Sequence, residues 1–273
     1  MTTVRALVMT GYGLNCDYET DYALRLAGAE PRRVHINDLI AGEDLDVFHI
    51  MVFGGGFSWG DDHGAGVLLA AKMRNNIGEQ IERFVDQGKL IIGICNGFQS
   101  LVNLGLLPGF DGNRRERRIA VTYNDSGNFI DTWVRLSVNP DSPCVFTQGL
   151  TRLDLPVRHG EGKFYAAPED LVRLQDRGQV VMQYANEDGR PANGHWPENP
   201  NGSLLDIAGV CDSTGRIFGL MPHPEAFNHR TNHPDWTRQK ALLGREGGIP
   251  ESDEGDGVRI FRNAVDYARA HLS

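Results

Sequence analysis

From Val4 to Gly109 the chain repeats one pattern: a short apolar run, a glycine-bearing turn, then apolar residues at helical spacing. Val4 to Met9 runs into "TGYGLNCD", after which Tyr22, Ala23, Leu26 and Ala27 share a helical face and Gly28 is placed to end the helix. "PRRVHI" and "DVFHIMVF" supply two more strands, the second entering "GGGFSWGDDHGAG". Ile77, Ile81, Phe84 and Val85 mark the next amphipathic helix, closed by Gly88 directly before "KLIIGI". Strands without polar alternation need cover on both faces, and intervening helices provide it. The pattern predicts an α/β fold: a doubly wound, mostly parallel, flavodoxin-like sheet flanked by helices, with ligands at the carboxyl ends of its strands.

After Gly109 the texture changes. "FIDTWVRLSV", "QVVMQYA" and "LLDIAGVC" are β-rich and separated by turns such as "EDGR" and "NPNGS", which predicts an antiparallel β extension. "RIFGLM" is a last strand into "PHPEAF", and Val258, Phe261, Val265 and Ala268 mark a closing helix. Between them, residues 228–256 read as a polar, glycine-rich, acidic surface excursion, so residues 1–273 are expected to form a single domain.

A net charge of -9 argues against a nucleic-acid groove, which needs a concentrated positive surface. "NRRERR" is the basic cluster, to be read as a solvated loop or as a contact with an anionic substrate or partner. No apolar run approaches the ~18 residues of a membrane span, and the N-terminal run is too short for a secretory signal, so a cytoplasmic protein is expected. The cysteines at 16, 95, 144 and 211 lie far apart with no C-x-x-C, which predicts free thiols and no metal cage.

In "KLIIGICNGFQSLVNLGLLPG" the strand gives way to Cys95, and Asn96 to Leu104 reads as a helix stopped by Gly105 and Pro108. A thiol on that turn is presented at the carboxyl edge of the sheet, where the positive end of the helix dipole favours thiolate. Gly93 and Gly97 allow a tight turn and close approach of other chain segments, the logic of a nucleophile elbow with cysteine in place of serine. The competing reading is a buried, inert cysteine.

A nucleophile needs a base, and the base an orienter. "MPHPE" supplies His223 and Glu225 at the end of the last strand. Pro224 forces His223 to be extended, and residues two apart in an extended chain face one side, so the carboxylate can fix the tautomer while the other nitrogen receives the Cys95 proton. On its own, H-x-E also fits a surface histidine beside a glutamate. Oxyanion donors are offered by "GGGFSWG" and by the amide of Asn96. Phosphate binding is the rival use of a glycine loop, but "GYGLNC" lacks the third glycine of the dinucleotide fingerprint and no G-x-x-x-x-G-K-[ST] occurs. His229 and His233 in "HRTNH" lack the glutamate of H-E-x-x-H, so no metal site is expected. His159 and Glu161 in "RHGEGKF" are expected to line a pocket or hold a loop.

Glycine loop, cysteine elbow and terminal H-P-E, in that order on an α/β sheet, resemble the class I glutamine amidotransferases. More narrowly, "GLNCDYETDYALRLAGAE", "GGFSWGDDHGAG", "GICNGFQSLVNLGLLPG", "LPVRHGEGKF", "NPNGS" and "GRIFGLMPHPE" are similar to the glutaminase subunits of phosphoribosylformylglycinamidine synthase, from about Val4 to Ala226. The resemblance implies that Cys95 is the nucleophile, His223 the base and then the acid, Glu225 the orienter, and the amides of Gly56 and Asn96 the oxyanion hole. Gln99, Phe57, His159 and Glu161 become the expected glutamine contacts. It further implies ammonia transfer to a synthetase subunit, with or without a third small subunit; ATP and magnesium on that partner; no cofactor in this chain; and weak activity of the chain alone. Three departures bear on interface contacts rather than the triad: Ala226 replaces the family's usual arginine, "DDHGAG" differs from the usual segment, and the chain beyond Asn228 exceeds the common pattern. Two other readings stay open, a stand-alone γ-glutamyl or amide hydrolase and a catalytically silent binding module of the same fold.

Overall fold

The computed structural model describes residues 3–245 and 252–272. The chain runs through β1 (Arg5–Thr10), α1 (Asp17–Leu26), β2 (Glu30–His35), a short α2 (Ile36–Ile40), β3 (Ile50–Phe53), α3 (Val67–Asp86), β4 (Leu90–Ile94) and α4 (Asn96–Leu104). It continues with β5 (Ile119–Thr122), β6 (Ile130–Val138), β7 (Arg152–His159), β8 (Lys163–Ala166), α5 (Pro168–Asp176), β9 (Val180–Ala185), β10 (Ile207–Cys211), β11 (Ile217–Leu220), α6 (Trp236–Arg245) and α7 (Val258–His271).

Nine strands form one sheet in the order β2-β1-β3-β4-β11-β10-β9-β6-β7. The half from β2 to β11 is parallel, and β10, β9, β6 and β7 extend it antiparallel. The parallel strands β3, β4 and β11 are buried along their whole length, as their unbroken apolar runs require. α3 packs on α4, and α1 on α7. In α7 the stripe Val258, Phe261, Val265 and Ala268 is buried; covering side chains of the larger kinds contributes ~1.5–3 kcal/mol each before entropy is counted. Among the described residues no helix is long and apolar enough to cross a membrane.

Several elements differ from the reading of the sequence. "DVFHIMVF" becomes a strand only at Ile50, because Asp44 accepts the Asp46 N–H and winds Leu45–Val47 into a 3-10 turn. "GKFYA", not among the strands read from the sequence, forms β8, which pairs with β5 in a separate two-stranded ribbon. In the segment 228–256, the structure places α6, and His229 bridges to Glu254. His233 is buried there, its ring 4.7 Å from that of Trp133 and 5.8 Å from that of Phe227, an anchorage that local polarity does not disclose. Residues 246–251 of that segment lie outside the described residues. The "NRRERR" arginines are spent within the chain: Arg114 pairs with Asp86, Arg115 with Glu82, and Arg118 with Asp170 and Glu116, while Arg117 donates to Asn103.

Candidate active site

Cys95 occupies the junction of β4 and α4 with φ +52° and ψ -107°, a backbone conformation that L-residues other than glycine avoid. Neighbouring structure holds it there: its N–H donates to Leu220 O at 2.8 Å, continuing the β4–β11 ladder in which Ile94 pairs with Leu220. A Cβ at residue 97 would lie 1.8 Å from Phe53 O, and one at residue 93 would lie 2.7 Å from Gly97 O. Glycine at 97 therefore lets α4 pack against β3, and glycine at 93 lets the first turn of α4 fold back over β4. The junction has the geometry of a strained nucleophile elbow, with the strain carried by the cysteine itself.

His223 follows β11 on the adjacent strand, extended at φ -105° and ψ 90°, with its N–H donating to Pro156 O at 2.8 Å. Glu225 is not its same-side neighbour in an extended chain, as the sequence suggested. Pro224–Ala226 is a 3-10 turn, and the turn folds the carboxylate back so that its Oε1 stands 2.6 Å from His223 Nδ1. Both side chains are buried. His223 Nε2 and Glu225 Oε2 have no hydrogen-bond partner among the described residues. Burial pulls the His223 pKa down, but the Glu225 carboxylate, then Cys95, push it up, and the net result is well above the ordinary value.

The glycine loop after β3 is laced to the loop after β1. Asn15 N–H donates to Gly55 O at 3.2 Å and Phe57 N–H to Gly13 O at 2.9 Å. This leaves Gly56 between them at φ +138°, its own N–H unbonded among the described residues. A Cβ on Gly56 would lie 2.3 Å from Gly13 O, and one on Gly55 would lie 2.7 Å from His223 Cε1, so glycine is what lets this loop lie against the imidazole. In the first turn of α4 the Asn96 N–H has no acceptor among the described residues, as helix geometry dictates.

The side chain of Asn96 ties these parts together. Its Nδ2 donates to Asp61 Oδ1 at 2.9 Å and Gln99 Oε1 at 3.2 Å, and its Oδ1 accepts the Ser58 N–H at 3.4 Å. Gln99 is buried, and its amide nitrogen donates to Glu161 O, so its carboxamide braces "HGEGKF" against the elbow helix. Glu161 accepts the Ala65 N–H, and burial raises its pKa. His159 is buried with Nδ1 3.1 Å from Asn124 Oδ1; burial, then the charge of His223, lower its pKa to about 3, so it is neutral. Phe57 is exposed, its ring 6.0 Å from that of Phe129.

Two residues near Cys95, His223 and Glu225 were not singled out as site residues in the sequence. Asp61 is pushed up to about 6 by burial and then by Glu161, against the hydrogen bond from Asn96. Cys16, at the start of α1, brings its Sγ to 3.9 Å from His223 Nδ1. "GLNCD" as a loop following a strand was the available signal, but 207 residues separate the two side chains. His229 and His233 do not converge: the first bonds Thr231 and the second accepts the Asp235 N–H while facing Asp154.

A doubly wound sheet that presents a cysteine elbow beside a buried His–Glu pair defines the class I glutamine amidotransferase architecture. Residues 3–268 match the family model for the CobB/CobQ-like glutamine amidotransferase domain. The chain is 50% identical to the phosphoribosylformylglycinamidine synthase subunit PurQ of Dehalococcoides mccartyi over 98% of this chain and 99% of that protein. It is 47% identical to a PurQ of Methanococcus maripaludis, over 96% and 97%. Among solved structures, PurLQS from Thermotoga maritima contains a chain 31% identical, with TM-score 0.69, covering 97% of this chain and 99% of that one. A glutamine amidotransferase from Thermotoga maritima, 17% identical with TM-score 0.54 over 100% of both chains, shares the fold. The chain belongs to the PurQ family of glutamine amidotransferases.

Proposed function

We propose that this chain is the glutaminase subunit of phosphoribosylformylglycinamidine synthase and that Cys95, His223 and Glu225 are its catalytic triad. Family membership at 50% identity supports the activity, and the observation that carries the residue roles is the strained Cys95 beside an imidazole whose Nδ1 is held by Glu225 at 2.6 Å. With Nδ1 donating to the carboxylate and the imidazole made strongly basic by that charge, Nε2 takes and holds the thiol proton, leaving Cys95 as the thiolate. Cys95 Sγ attacks the side-chain amide carbon of glutamine, and the oxyanion is met by the N–H groups of Asn96 and Gly56. His223 returns the proton to the leaving nitrogen, ammonia departs, and water activated by the same imidazole hydrolyses the thioester to glutamate.

The partners in this reading are a synthetase subunit and a small third subunit, and the similar chain from Thermotoga maritima belongs to a structure named PurLQS. ATP, magnesium and formylglycinamide ribonucleotide bind the synthetase chain, which receives the ammonia, and the assembly is cytoplasmic. The test is reconstitution with the synthetase of the same organism. Glutamine-dependent amidation of formylglycinamide ribonucleotide is expected, together with a glutaminase rate that rises on assembly. Full glutaminase activity of the isolated chain, unaffected by the synthetase, counts against the reading.

A further inference from the structure

The thiol of Cys16 has no part in the reaction above, yet it lies against the catalytic pair. Its Sγ is 3.9 Å from His223 Nδ1, the nitrogen that meets Glu225 Oε1 at 2.6 Å, and one ligand atom from each residue falls within 4.8 Å of the others. Cys16, His223 and Glu225 are all buried, and Glu225 Oε2 has no hydrogen-bond partner among the described residues. A buried carboxylate oxygen left without a donor is a costly arrangement unless something occupies it at times. Thiolate, imidazole and carboxylate are the donor set of a thiophilic divalent cation, and bonds of ~2.0–2.3 Å set such donors roughly 3–4 Å apart around it. The S–N separation already fits, and the N–O separation opens once the shared proton is gone. Gly55 keeps the approach free, since a Cβ there would sit 3.1 Å from Cys16 Sγ.

We propose that Cys16, His223 Nδ1 and Glu225 form a reversible inhibitory site for a thiophilic divalent cation, of which Zn2+ is the representative. Binding releases the Cys16 thiol proton and the Nδ1 proton to solvent, and the imidazole keeps only the proton on Nε2. The cation thereby fixes the opposite tautomer, and Nε2 no longer accepts the proton of Cys95. The fourth coordination position takes water. Inhibition rests on the triad assigned under the proposed function, whereas binding does not, so the two are measured separately.

Zn2+ binding is measured by competition with a chromophoric chelator on the full chain as wild type, Cys16→Ser and Cys95→Ser, and glutaminase activity on the wild-type and Cys95→Ser complexes with synthetase. Wild type and Cys95→Ser are expected to bind Zn2+ alike, and Cys16→Ser to bind roughly tenfold or more weakly. Chelation should restore wild-type glutaminase. Co2+ added to Cys95→Ser should give a thiolate charge-transfer band that is lost when Cys16 is also changed. If Cys16→Ser does not fold, His223→Gln, which keeps the thiol, is expected to lose the same site. Undiminished binding by Cys16→Ser overturns the proposal. So does loss of binding in Cys95→Ser, which places the cation at Nε2 instead, and so does Zn2+ bound at the Cys16 site with glutaminase unaltered. A fully active Cys95→Ser complex would instead sink the triad and leave the binding result standing.

Discussion

His223 Nδ1 stands 2.6 Å from Glu225 Oε1 with both side chains buried. In the proposed mechanism the carboxylate does two jobs: it fixes the proton on Nδ1, and its charge compensates the imidazolium formed when Cys95 gives up its proton.

Glu225→Gln keeps the shape and removes the charge. The glutaminase kcat of the complex is expected to fall about 10²- to 10⁴-fold with KM little changed, because the interaction strengthens only in the transition state. A kcat within about threefold of wild type would show that the charge is not used.

Cys95→Ser places a poor nucleophile on an intact elbow. Glutamine-dependent synthesis by the complex should fall by about 10³-fold or more, with ammonia-dependent synthesis retained and labelling by diazo-oxo-norleucine abolished. Retention of glutamine-dependent synthesis would refute the assignment of the nucleophile.

Asp61 gives a pH-dependent signature. Burial, then Glu161, raise its folded pKa to about 6, above the unfolded value near 3.8, so between these values the native state holds more protons than the unfolded chain. Its ionisation therefore costs stability above about pH 6, and the cost vanishes below about pH 4. Asp61→Asn keeps an acceptor for Asn96 and removes the charge. With a discount for partial exposure, it should stabilise the chain by about 1 kcal/mol at pH 8 and by almost nothing at pH 4, read from urea midpoints. A gain equal at both pH values would mean that the carboxylate is not strained.

Asn201→Ala tests "NPNGS". Asn201 Nδ2 donates to Gly162 O at 2.8 Å and to Tyr184 OH at 3.0 Å, which holds "HGEGKF" beside the elbow helix. Removing it leaves buried groups unpaired, at a cost of about 1–3 kcal/mol. The glutaminase KM should rise as well, since Glu161 loses its support. A variant as stable as wild type would show that water replaces the amide.

Gly97→Ala separates folding from chemistry. The new Cβ would meet Phe53 O at 1.8 Å, so α4 must move off β3, at a cost on the order of 3 kcal/mol. A soluble, fully stable Gly97→Ala chain would contradict the tight elbow.

What could be read from residues alone was whatever depends on neighbours in sequence. The unbroken apolar run of β4, the glycines at 93 and 97 and the helix stop at Gly105 fix strand, turn and helix locally, and they delivered Cys95 to a sheet edge before any partner was known. The pairing of His223 with Glu225 was also legible from their spacing, although the turn that achieves it was not. Apolar periodicity could not reveal that β8 leaves the main sheet, because strand partners are chosen at a distance. Nor could polarity show that His233 is buried against Trp133, which contributes its ring from another element.

The sequence by itself determined the fold class and the chemical alphabet of the site, because period, capping and turn chemistry are properties of short stretches of chain. Only the tertiary structure decided which distant groups meet: Leu220 with Cys95, Asn96 with Asp61, and Cys16 with His223. Those encounters are set by sheet order and by glycines thin enough to let loops touch, and neither quantity is written at a single position.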